Sequence, residues 1–402
     1  MGMNREIQEP EAAPAHKGRP LRVLFLSWNF PPVVGGIEAM AEQLFSGLAA
    51  RGHDVRLLTC GAEGFSPRPG VERAPKPGIP AYLRFALRRG WNLCKTWRPD
   101  VLLCGSVVSG PVAWLLSRRF GVPYLLVVYG GELRKQGAPY RASLRLFMAG
   151  AHRICAISRQ TADLLGPYHV AADRIRLVYP GVCAGEFSGD RAGARAAYPE
   201  WEGRRVLLTV GRLIRRKGVL EFIEHVMPAL AKRYPDLLYL VVGEDATSSL
   251  LHAERMKERI QDAIRRLKLE SHVQLLGRVE DARLNRIFHR ADIFVLPGRD
   301  IPGDAEGFGI VFSEAALAGA PSVATRVGGM PEAVLDGQTG LIVEPDNPRA
   351  MEDALVRLLE DEPLRRRMAR LGAEHVRQHL DWPIICAKYE TMLRECVEMK
   401  KP

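Results

Sequence analysis

The sequence predicts an α/β protein with two doubly wound domains, each built on a parallel sheet that is covered by helices. Short apolar runs of strand character alternate with longer segments whose apolar residues recur at helical spacing. The alternation stops across residues 180–203, which are rich in glycine, alanine and charge, and then starts again. The length of 402 residues also exceeds what one hydrophobic core usually supports.

The predicted elements follow in order along the chain. The strands of the first domain are the apolar runs 21–27, 54–59, 101–104, 123–128, 153–157 and 174–178. Helical spacing of apolar residues lies between them, as at 36–50 and 111–120. The strands of the second domain are 205–210, 237–242, 272–276, 292–296, 321–325 and 341–344. We therefore expect a flexible tail at 1–20, a first domain at 21–190 and a second domain that starts at 191.

The net charge of +11 is concentrated in the first domain. Residues 1–190 hold 24 basic and 14 acidic side chains, whereas residues 191–402 hold 33 and 32. Within the first half, residues 76–145 carry twelve basic side chains against only Asp100 and Glu132. This asymmetry predicts that a negatively charged partner meets the first domain. No nucleic-acid recognition module is recognisable, so we do not expect nucleic acid to be that partner.

The cysteines and the hydropathy indicate the compartment. The seven cysteines form no C-x-x-C pair, which is typical of free thiols in a reducing cytosol. The longest uncharged stretch, 101–117, is shorter than a bilayer span and contains glycine and proline. Residues 1–19 lack the apolar core that a signal peptide needs. We therefore expect a cytoplasmic protein.

The first predicted strand leads into the glycine pair Gly35-Gly36, which precedes an amphipathic helix. Glycines there let the backbone approach a ligand closely, and a helix N-terminus presents unpaired N–H groups to an anion. The dinucleotide fingerprint G-x-G-x-x-G is absent, which disfavours a nicotinamide enzyme. A plain tight turn is the alternative interpretation of this loop.

The second domain opens with a glycine-flanked basic loop, 210–218, where its first strand should end. Four cations fall within six residues, namely Arg212, Arg215, Arg216 and Lys217. Such a loop at a helix start can neutralise a diphosphate without a metal. The alternative is a basic loop that is merely solvated surface.

A third segment, 304–314, places two carboxylates around glycines. Glu306 lies in the loop, and Glu314 lies on a predicted helix, 310–318, that Gly319 ends. Eight helical residues span roughly 12 Å, enough to place one carboxylate at each end of a bound diphosphate. Two glutamates at this spacing mean little alone, but the surrounding Gly-Phe-Gly and the later 328–332, Gly-Gly-Met-Pro-Glu, add weight.

These motifs, in this order, resemble those of the retaining nucleotide-sugar glycosyltransferases of family four. The resemblance rests on Gly-Gly-Ile-Glu at 35–38, Gly-Arg-Leu at 211–213 with Lys217-Gly218, the E-x7-E pair, and Gly-Gly-Met-Pro-Glu-Ala-Val from 328. It covers about residues 21–395. It implies the GT-B fold, in which two Rossmann-like domains face each other across a cleft. It also implies that the second domain, 191–382, binds the donor and that 383–402 packs back on the first, acceptor domain.

The resemblance assigns roles to individual residues. Arg212 and Lys217 would bind the donor diphosphate, Glu306 would contact the donor sugar, and Glu314 would hold the ribose. The amides around Phe308, Gly309 and Ile310 would meet the phosphates and the sugar. The Gly35-Gly36 loop would close on the donor from the other domain.

One position departs from the family pattern. The family usually has a histidine at the end of the fourth strand, whereas this chain has Tyr129, followed by Gly130-Gly131-Glu132. A tyrosine can hydrogen-bond a sugar hydroxyl, but it does not replace an imidazole in proton transfer. We expect Tyr129 to bind substrate rather than to act as a base.

The sequence predicts no metal ion and no cofactor. The ten histidines show no ligand spacing, and no Asp-x-Asp pair suggests a divalent cation, although Asp304 and Glu306 come nearest. We expect Arg212, Lys217 and the helix dipole to stabilise the leaving group instead.

A separate basic segment, 79–98, interleaves aromatic and aliphatic residues with arginine and lysine. Such a helix can lie on the anionic inner face of the cell membrane. The alternative is a helix that packs by its aromatic face and keeps its arginines in water. Both interpretations stay open at this point.

The function that the resemblance implies is transfer of a hexose from a nucleotide diphosphate sugar to a hydroxyl acceptor with retained configuration. The acceptor would be a saccharide or a lipid-linked molecule, in bacterial surface polysaccharide or glycolipid assembly. A sugar-nucleotide epimerase or hydrolase of the same fold is the alternative, because it would need the same cations and carboxylates.

Overall fold

The computed structural model describes residues 7–11, 18–33, 35–62, 66–134, 137–187, 189, 191–245, 255–302, 304 and 306–399. The chain divides into two compact units. Unit 1 consists of Met1–Gly181 and Trp382–Pro402, and unit 2 consists of Val182–Asp381. The sequence analysis placed the change of domain at residues 190 and 382.

Unit 1 contains a seven-stranded parallel sheet in the order β3-β2-β1-β4-β5-β6-β7. Its strands are β1 (Arg22–Ser27), β2 (Asp54–Thr59), β3 (Val71–Arg73), β4 (Val101–Cys104), β5 (Tyr124–Val128), β6 (Arg153–Ala156) and β7 (Ile175–Leu177). Its helices are α1 (Gly36–Ala50), α2 (Ile79–Thr96), α3 (Gly110–Phe120), α4 (Ala138–Gly150), α5 (Arg159–Asp163) and, from the second segment of the unit, α15 (Trp382–Glu398).

The central strands of unit 1 are buried on both faces, as a parallel sheet between helices requires. Every residue of β4 and β5 is buried. This explains why both strands are continuous apolar runs rather than alternating ones. The sequence analysis missed β3, because its three half-buried residues show neither an apolar run nor an alternation.

The segment 1–20, for which the sequence predicts a flexible tail, makes backbone contacts in its described part near residue 8. Gln8 forms a parallel bridge with Arg176 of β7, and the Leu177 amide donates to the Gln8 carbonyl at 3.2 Å. Pro10 is buried. A backbone pairing at the sheet edge orders this segment, whereas residues 1–6 and 12–17 lie outside the described part.

Unit 2 contains a six-stranded parallel sheet in the order β10-β9-β8-β11-β12-β13. Its strands are β8 (Arg205–Val210), β9 (Leu237–Val242), β10 (Val273–Gly277), β11 (Ile293–Leu296), β12 (Ser322–Thr325) and β13 (Gly340–Val343). Its helices are α6 (Arg191–Ala196), α7 (Val219–His225), α8 (Met227–Arg233), α9 (Met256–Arg266), α10 (Asp281–Arg290), α11 (Val311–Leu317), α12 (Met330–Ala333), α13 (Pro348–Glu360) and α14 (Glu362–His379).

Both sheets change winding direction once, and these points position the ligand-binding loops. In unit 1 the change lies between β1 and β4, and in unit 2 it lies between β8 and β11. Ligands of doubly wound sheets bind at the carboxyl ends of the strands that flank such a point. In unit 2 those ends lead into the loops 211–218 and 297–310.

Two features relate to the sequence predictions about cysteines and membrane spans. All seven cysteines are free thiols, and five of them are buried. In the described part of the chain, no helix is both long enough and apolar enough to cross a membrane.

Candidate functional site

The basic loop 211–218 is held between its neighbours by close backbone contacts. Gly211 and Gly218 both have positive φ, 147° and 69°. A Cβ at Gly218 would collide with the Pro297 carbonyl after β11, and one at Gly243 would collide with the Gly211 carbonyl. Glycine at 218 and 243 therefore lets this loop lie directly against the ends of β9 and β11.

The side chains of this loop differ in how deeply they are buried. Leu213 and Ile214 are buried and anchor the loop, whereas Arg212 is exposed. Arg215–Lys217 form one turn of 3-10 helix, and Lys217 at its end is only 7% exposed. A lysine is rarely buried unless it is paired, so the partner of its ammonium is the informative feature.

That partner is Glu306, from the loop after β11. The Lys217 Nζ lies 2.8 Å from Glu306 Oε2, and the Arg216 guanidinium lies 3.5 Å from the same oxygen. Burial disfavours ionisation of this carboxyl, but the charges of Lys217, Arg216 and Arg212 outweigh burial and lower the pKa of Glu306. The carboxylate is therefore ionised and surrounded by more positive than negative charge.

A second glycine pair supports the Glu306 loop from behind. A Cβ at Gly328, where φ is 60°, would collide with the Glu306 carbonyl, and one at Gly329 would collide with the Gly307 carbonyl. The Gly329 amide donates to the Glu306 carbonyl at 3.0 Å. The Gly-Gly-Met-Pro-Glu motif thus fixes the backbone that carries Glu306.

The loop then turns into α11 through Gly309, where φ is 84°. Phe308 is buried, and the first helical hydrogen bonds run from the Phe312 amide to Gly309 and from Ser313 to Ile310. The amides of Gly309 and Ile310 precede these bonds, at the N-terminal end of the helix. The helix is Val311–Leu317, shorter than the predicted 310–318.

Glu314, on α11, lies in very different surroundings from Glu306. Burial and the negative charges of Glu186 and Asp281 raise the pKa of Glu314 to about 7. Its side chain is partly exposed. The structure thus places Glu314 on the expected helix but near other carboxylates. Its protonated and ionised forms are about equally populated near pH 7.

The candidate residues of unit 1 lie at the carboxyl ends of its strands. Gly35 precedes α1 in extended conformation, with φ 173°, and a Cβ at Gly36 would meet nothing within 4 Å. Both are exposed, but a Cβ at Gly35 would collide with the Glu38 carboxylate, so only Gly36 is free of neighbours that a side chain would meet. Tyr129 follows β5, and its amide donates to Glu132 Oε1 at 2.7 Å.

The ionisation of Tyr129 is also defined. Burial, with Glu132 next, raises the pKa of this phenol well above its usual value. Tyr129 is therefore a neutral hydrogen-bonding group near neutral pH. The expectation from sequence that Tyr129 binds substrate rather than acts as a base stays a prediction.

The basic segment 79–98 forms α2, and most of its aromatic residues pack inside unit 1. Tyr82 is fully buried and its hydroxyl lies 2.7 Å from Ser109 Oγ. Trp91 packs edge-on against Phe120, with ring centroids 5.0 Å apart. Core packing thus accounts for these side chains, and membrane attachment stays a prediction.

The sequence analysis counted Arg216 among the four cations that can neutralise a diphosphate, but it assigned this residue no individual contact. In the structure its guanidinium lies 3.5 Å from Glu306 and 3.5 Å from Asp304. Its position one residue before Lys217 was the available signal. Among the described residues no group of three histidine, cysteine or acidic side chains is arranged to hold a metal ion.

Comparison with known proteins identifies both halves of the chain. The family model for glycosyl transferases group 1 matches residues 190–375, and that for the glycosyl transferase 4-like domain matches residues 35–181. The chain is 30% identical to a D-inositol 3-phosphate glycosyltransferase of Corynebacterium glutamicum, over 72% of this chain and 71% of that protein.

Two further relatives cover more of the chain. It is 28% identical to a glycogen synthase of Mycobacterium tuberculosis, over 91% of this chain and 92% of that one. Among solved structures, Anabaena HepE in complex with UDP and glucose matches with a TM-score of 0.73 and 19% identity, over 93% of this chain and 99% of that one. These likenesses confirm the predicted α/β fold of the GT-B type.

Proposed function

This chain belongs to the group 1 glycosyltransferases, and from that premise we propose that it transfers a hexose from a nucleotide diphosphate sugar to a hydroxyl acceptor with retained anomeric configuration. Dependence on a nucleotide sugar comes with the family; the hexose and the stereochemistry are the proposal. The observation that carries it is the Lys217–Glu306 pair at the winding change of the second sheet, with Arg212 and Arg216 beside it.

The cations of this site would stabilise the leaving group. Transfer of the sugar leaves a nucleoside diphosphate whose outer phosphate gains negative charge. Lys217 Nζ has three N–H donors, of which the contact with Glu306 uses one. Arg212 is exposed and makes no hydrogen bond among the described residues, so both side chains have donors to offer to phosphate oxygens. Positioned cations in a partly water-excluded site stabilise developing charge strongly. The amides of Gly309 and Ile310 add N–H donors at the start of α11.

Glu306 would position the sugar. An ionised carboxylate accepts two or more hydrogen bonds, and paired hydroxyls of a hexose ring are suitable donors. The lowered pKa of Glu306 keeps it an acceptor throughout the neutral range. Its ion pair with Lys217 also sets the distance between sugar and phosphate contacts.

Glu314 would hold the ribose of the nucleotide. Burial and the negative charges of nearby Glu186 and Asp281 destabilise the ionised form of the Glu314 carboxyl. Hydroxyl donors from a ribose would stabilise that ionised form. Nucleotide binding at Glu314 should therefore lower its pKa and release a proton near pH 7.

Unit 1 would bind the acceptor. Gly35 and Gly36 leave exposed backbone at the start of α1, and Tyr129 offers a neutral hydroxyl at the end of β5. Since Tyr129 stays protonated, we assign removal of the acceptor proton to the leaving phosphate itself, on the face from which it departs. The resemblance to retaining family-four enzymes supports this front-face mechanism.

Relatives guide the choice of substrates. HepE was solved with UDP and glucose, which supports UDP-glucose as the first donor to test. A glycogen synthase and an inositol phosphate glycosyltransferase differ in acceptor, so a saccharide or lipid-linked acceptor is our own proposal. We place the reaction in bacterial surface polysaccharide or glycolipid assembly, in the cytoplasm.

The decisive experiment incubates the purified protein with UDP-, GDP- and ADP-hexoses, with and without EDTA. We expect one nucleotide to raise the melting temperature equally with and without the chelator. At a hundred times its dissociation constant a ligand stabilises the fold by about 2.7 kcal/mol, which is readily measured. NMR of the glycoside product should then show the anomeric configuration of the donor. Rapid isomerisation or hydrolysis without any acceptor would instead identify an epimerase or hydrolase.

An anionic membrane surface is our second partner proposal. The adjacent helices α2, α3 and α4 carry no acidic residue. Leu115 on α3 and Leu146 on α4 are 42% and 45% exposed among exposed arginines. Protruding leucines within positive charge suit the headgroup region of anionic lipid.

Vesicle sedimentation tests this surface with a matched pair of variants. Arg118→Gln/Arg119→Gln changes the last turn of α3, and Arg265→Gln/Arg266→Gln changes the equivalent turn of α9 in unit 2. We expect binding to phosphatidylglycerol vesicles to weaken several-fold in the first variant only. Equal binding by both variants would show that α3 is not part of a membrane surface.

A further inference from the structure

A cavity lined by arginines lies at the amino-terminal ends of β8 and β11 in unit 2, whereas the Lys217–Glu306 pair lies beyond their carboxyl ends. Its volume is about 780 Å³, and its lining includes Arg195, Arg204, Arg205, Arg290, Arg365 and Asp292. These residues surround the first residues of β8 and β11, not their last ones. Since β8 has six residues at about 3.3 Å each, the cavity lies about 20 Å from the catalytic edge.

Arg290, the last residue of α10, is the most constrained of these side chains. It is only 2% exposed, and its Nη2 donates to the carbonyls of Trp201 and Arg204. Its Nε and Nη1 are buried as well, and no acceptor among the described residues is within hydrogen-bond range of either. A buried, charged donor without an acceptor is costly, so this guanidinium is unusual for a purely structural residue.

Three carboxylates line the cavity: Asp236 pairs with Arg205 at 2.8 Å, Glu202 is exposed, and Asp292 is already engaged by other groups. Asp292 Oδ1 accepts from Arg191 Nη2 at 2.6 Å, and Oδ2 accepts from the Val206 amide at 2.9 Å. Oδ2 lies 3.6 Å from Arg290 Nη1, which is an ion pair but longer than a hydrogen bond. Asp292 therefore balances only part of the positive charge around it.

Neighbouring arginines increase that surplus. Burial lowers the pKa of Arg191, and repulsion from Arg195 and Arg365 acts in the same direction. Arg195, on α6, is exposed and makes no ion pair or hydrogen bond within the described residues. It also lines an adjoining cavity of about 750 Å³ together with Arg191 and Arg365. Five arginines line the first cavity against three carboxylates, so its lining keeps a surplus of positive charge.

We propose that this arginine cavity is a binding site for a small phosphate-bearing molecule, separate from the donor site. A phosphate group offers several oxygens to forked guanidinium donors, and arginine binds it in two-pronged geometry. It would relieve the repulsion around Arg195. It would also offer acceptors to Arg290 Nε and Nη1 once this side chain shifts, because both nitrogens are buried. The cavity is much larger than inorganic phosphate, which leaves room for an organic part such as a sugar.

The test is calorimetric titration of the full chain with inorganic phosphate and with a hexose 6-phosphate. It is carried out on Arg212→Gln/Lys217→Met, which removes both cations assigned to the donor diphosphate, so that phosphate binding at the donor site is minimised. We expect one binding event, and we expect Arg195→Gln in the same background to weaken it at least tenfold. Arg265→Gln on α9, an exposed arginine that lines neither cavity, is the matched control and should change nothing.

Two outcomes would overturn the proposal. One is absence of binding by both probes at millimolar concentration. The other is equal weakening by Arg195→Gln and Arg265→Gln, which would indicate only general attraction to a basic protein. Arg290→Lys gives an independent check, since it retains the charge but loses the fork. Provided its thermal melt matches the parent, it should also weaken binding, and unchanged affinity would exclude Arg290 from the site.

Discussion

Glu306 and Glu314 lie eight residues apart, yet their surroundings are electrostatically opposite. Lys217, Arg216 and Arg212 surround Glu306 and lower its pKa despite burial. Burial and the negative charges of Glu186 and Asp281 raise the pKa of Glu314 to about 7. The loop therefore holds a permanently ionised carboxylate, and the helix holds one that changes charge near neutral pH.

The difference shows that a pair of carboxylates in sequence does not define a pair of equal chemical groups. Each pKa is set by residues from other parts of the chain, namely the loop after β8 for Glu306, and residues 186 and 281 for Glu314. One carboxylate is suited to a constant contact with the sugar. The other is suited to a contact whose strength depends on pH.

The largest expected effect comes from removing the charge of Glu306. Glu306→Gln keeps the shape but leaves Lys217 without its anionic partner and weakens the contact to the sugar. We expect kcat to fall by about 10²–10³-fold with UDP-glucose or the donor identified above. Steady-state kinetics measure this, with a thermal melt to verify folding.

Asp353→Asn is the matched control, because it removes an exposed carboxylate of α13 in the same unit. It should keep the parental rate. If Glu306→Gln also keeps the rate to within threefold, the site assignment fails.

The second largest effect concerns stability at Glu314. A raised pKa means that the folded protein holds a proton that the unfolded chain releases, so stability falls as pH rises from about 4.5 to about 7. Glu314→Gln removes this loss. We expect the variant to be more stable than the parent at pH 8, by up to about 3 kcal/mol, and about equal at pH 4. Urea unfolding at both pH values measures it.

The same variant should bind the nucleotide about tenfold more weakly if Glu314 holds the ribose. Asp281→Asn sharpens the comparison, since it removes one negative neighbour and keeps the carboxyl. Its nucleotide affinity should rise with pH at a lower midpoint than that of the parent. Parental stability of Glu314→Gln at pH 8 would contradict the raised pKa.

A smaller effect tests the support behind Glu306. Gly328→Ala would place a Cβ against the Glu306 backbone, whereas Gly337→Ala, at a similar φ of 72°, would meet nothing within 4 Å. Both lose about 1 kcal/mol from backbone strain. We expect Gly328→Ala to lose roughly a further 1–2 kcal/mol and to lower kcat. Chemical denaturation and kinetics of the two variants distinguish the effect of the Cβ collision from that of backbone strain. Equal losses of stability in both variants would show that the contact between Gly328 and the Glu306 backbone is unimportant.

The smallest effect is expected at Tyr129. Because its phenol stays protonated, Tyr129→Phe removes one hydrogen bond and no base. We expect kcat/KM for the acceptor to fall less than tenfold, with an unchanged pH profile. A loss of the basic limb of that profile would show instead that Tyr129 takes part in proton transfer.

The interior strands were the most predictable, because both faces of each are covered in a parallel sheet. Such strands are continuous apolar runs, and β8 and β9 begin and end at the predicted residues. Only three half-buried residues form β3, too few to leave a pattern. The bridge at Gln8 could not be predicted, because pairing at a sheet edge uses backbone groups, which carry no side-chain signal.

The site was predictable as a set of residues but not as a set of contacts. The position of glycines and cations after β8 indicated a phosphate loop, and Gly328-Gly329 was recognised as a motif. Neither the loop 211–218 nor the segment 304–314 indicates in its own sequence that β8 lies beside β11. The contact of Arg216 with Glu306 therefore could not be predicted. The pKa of Glu314 depends on two distant carboxylates in the same way.

Because α15 packs in unit 1 but follows unit 2 in the sequence, unit 1 cannot be completed until unit 2 has been synthesised. This helix buries Ile385, Tyr389 and Leu393 within unit 1, and its Glu390 pairs with Arg51 at 2.6 Å. A ribosome that has completed residue 181 must make about 200 more residues before α15 exists, which takes about 10–40 s. During that interval the nascent first unit exposes an apolar surface. The second unit can complete its core only at the end of the interval, because α14, which packs against α11, is made last.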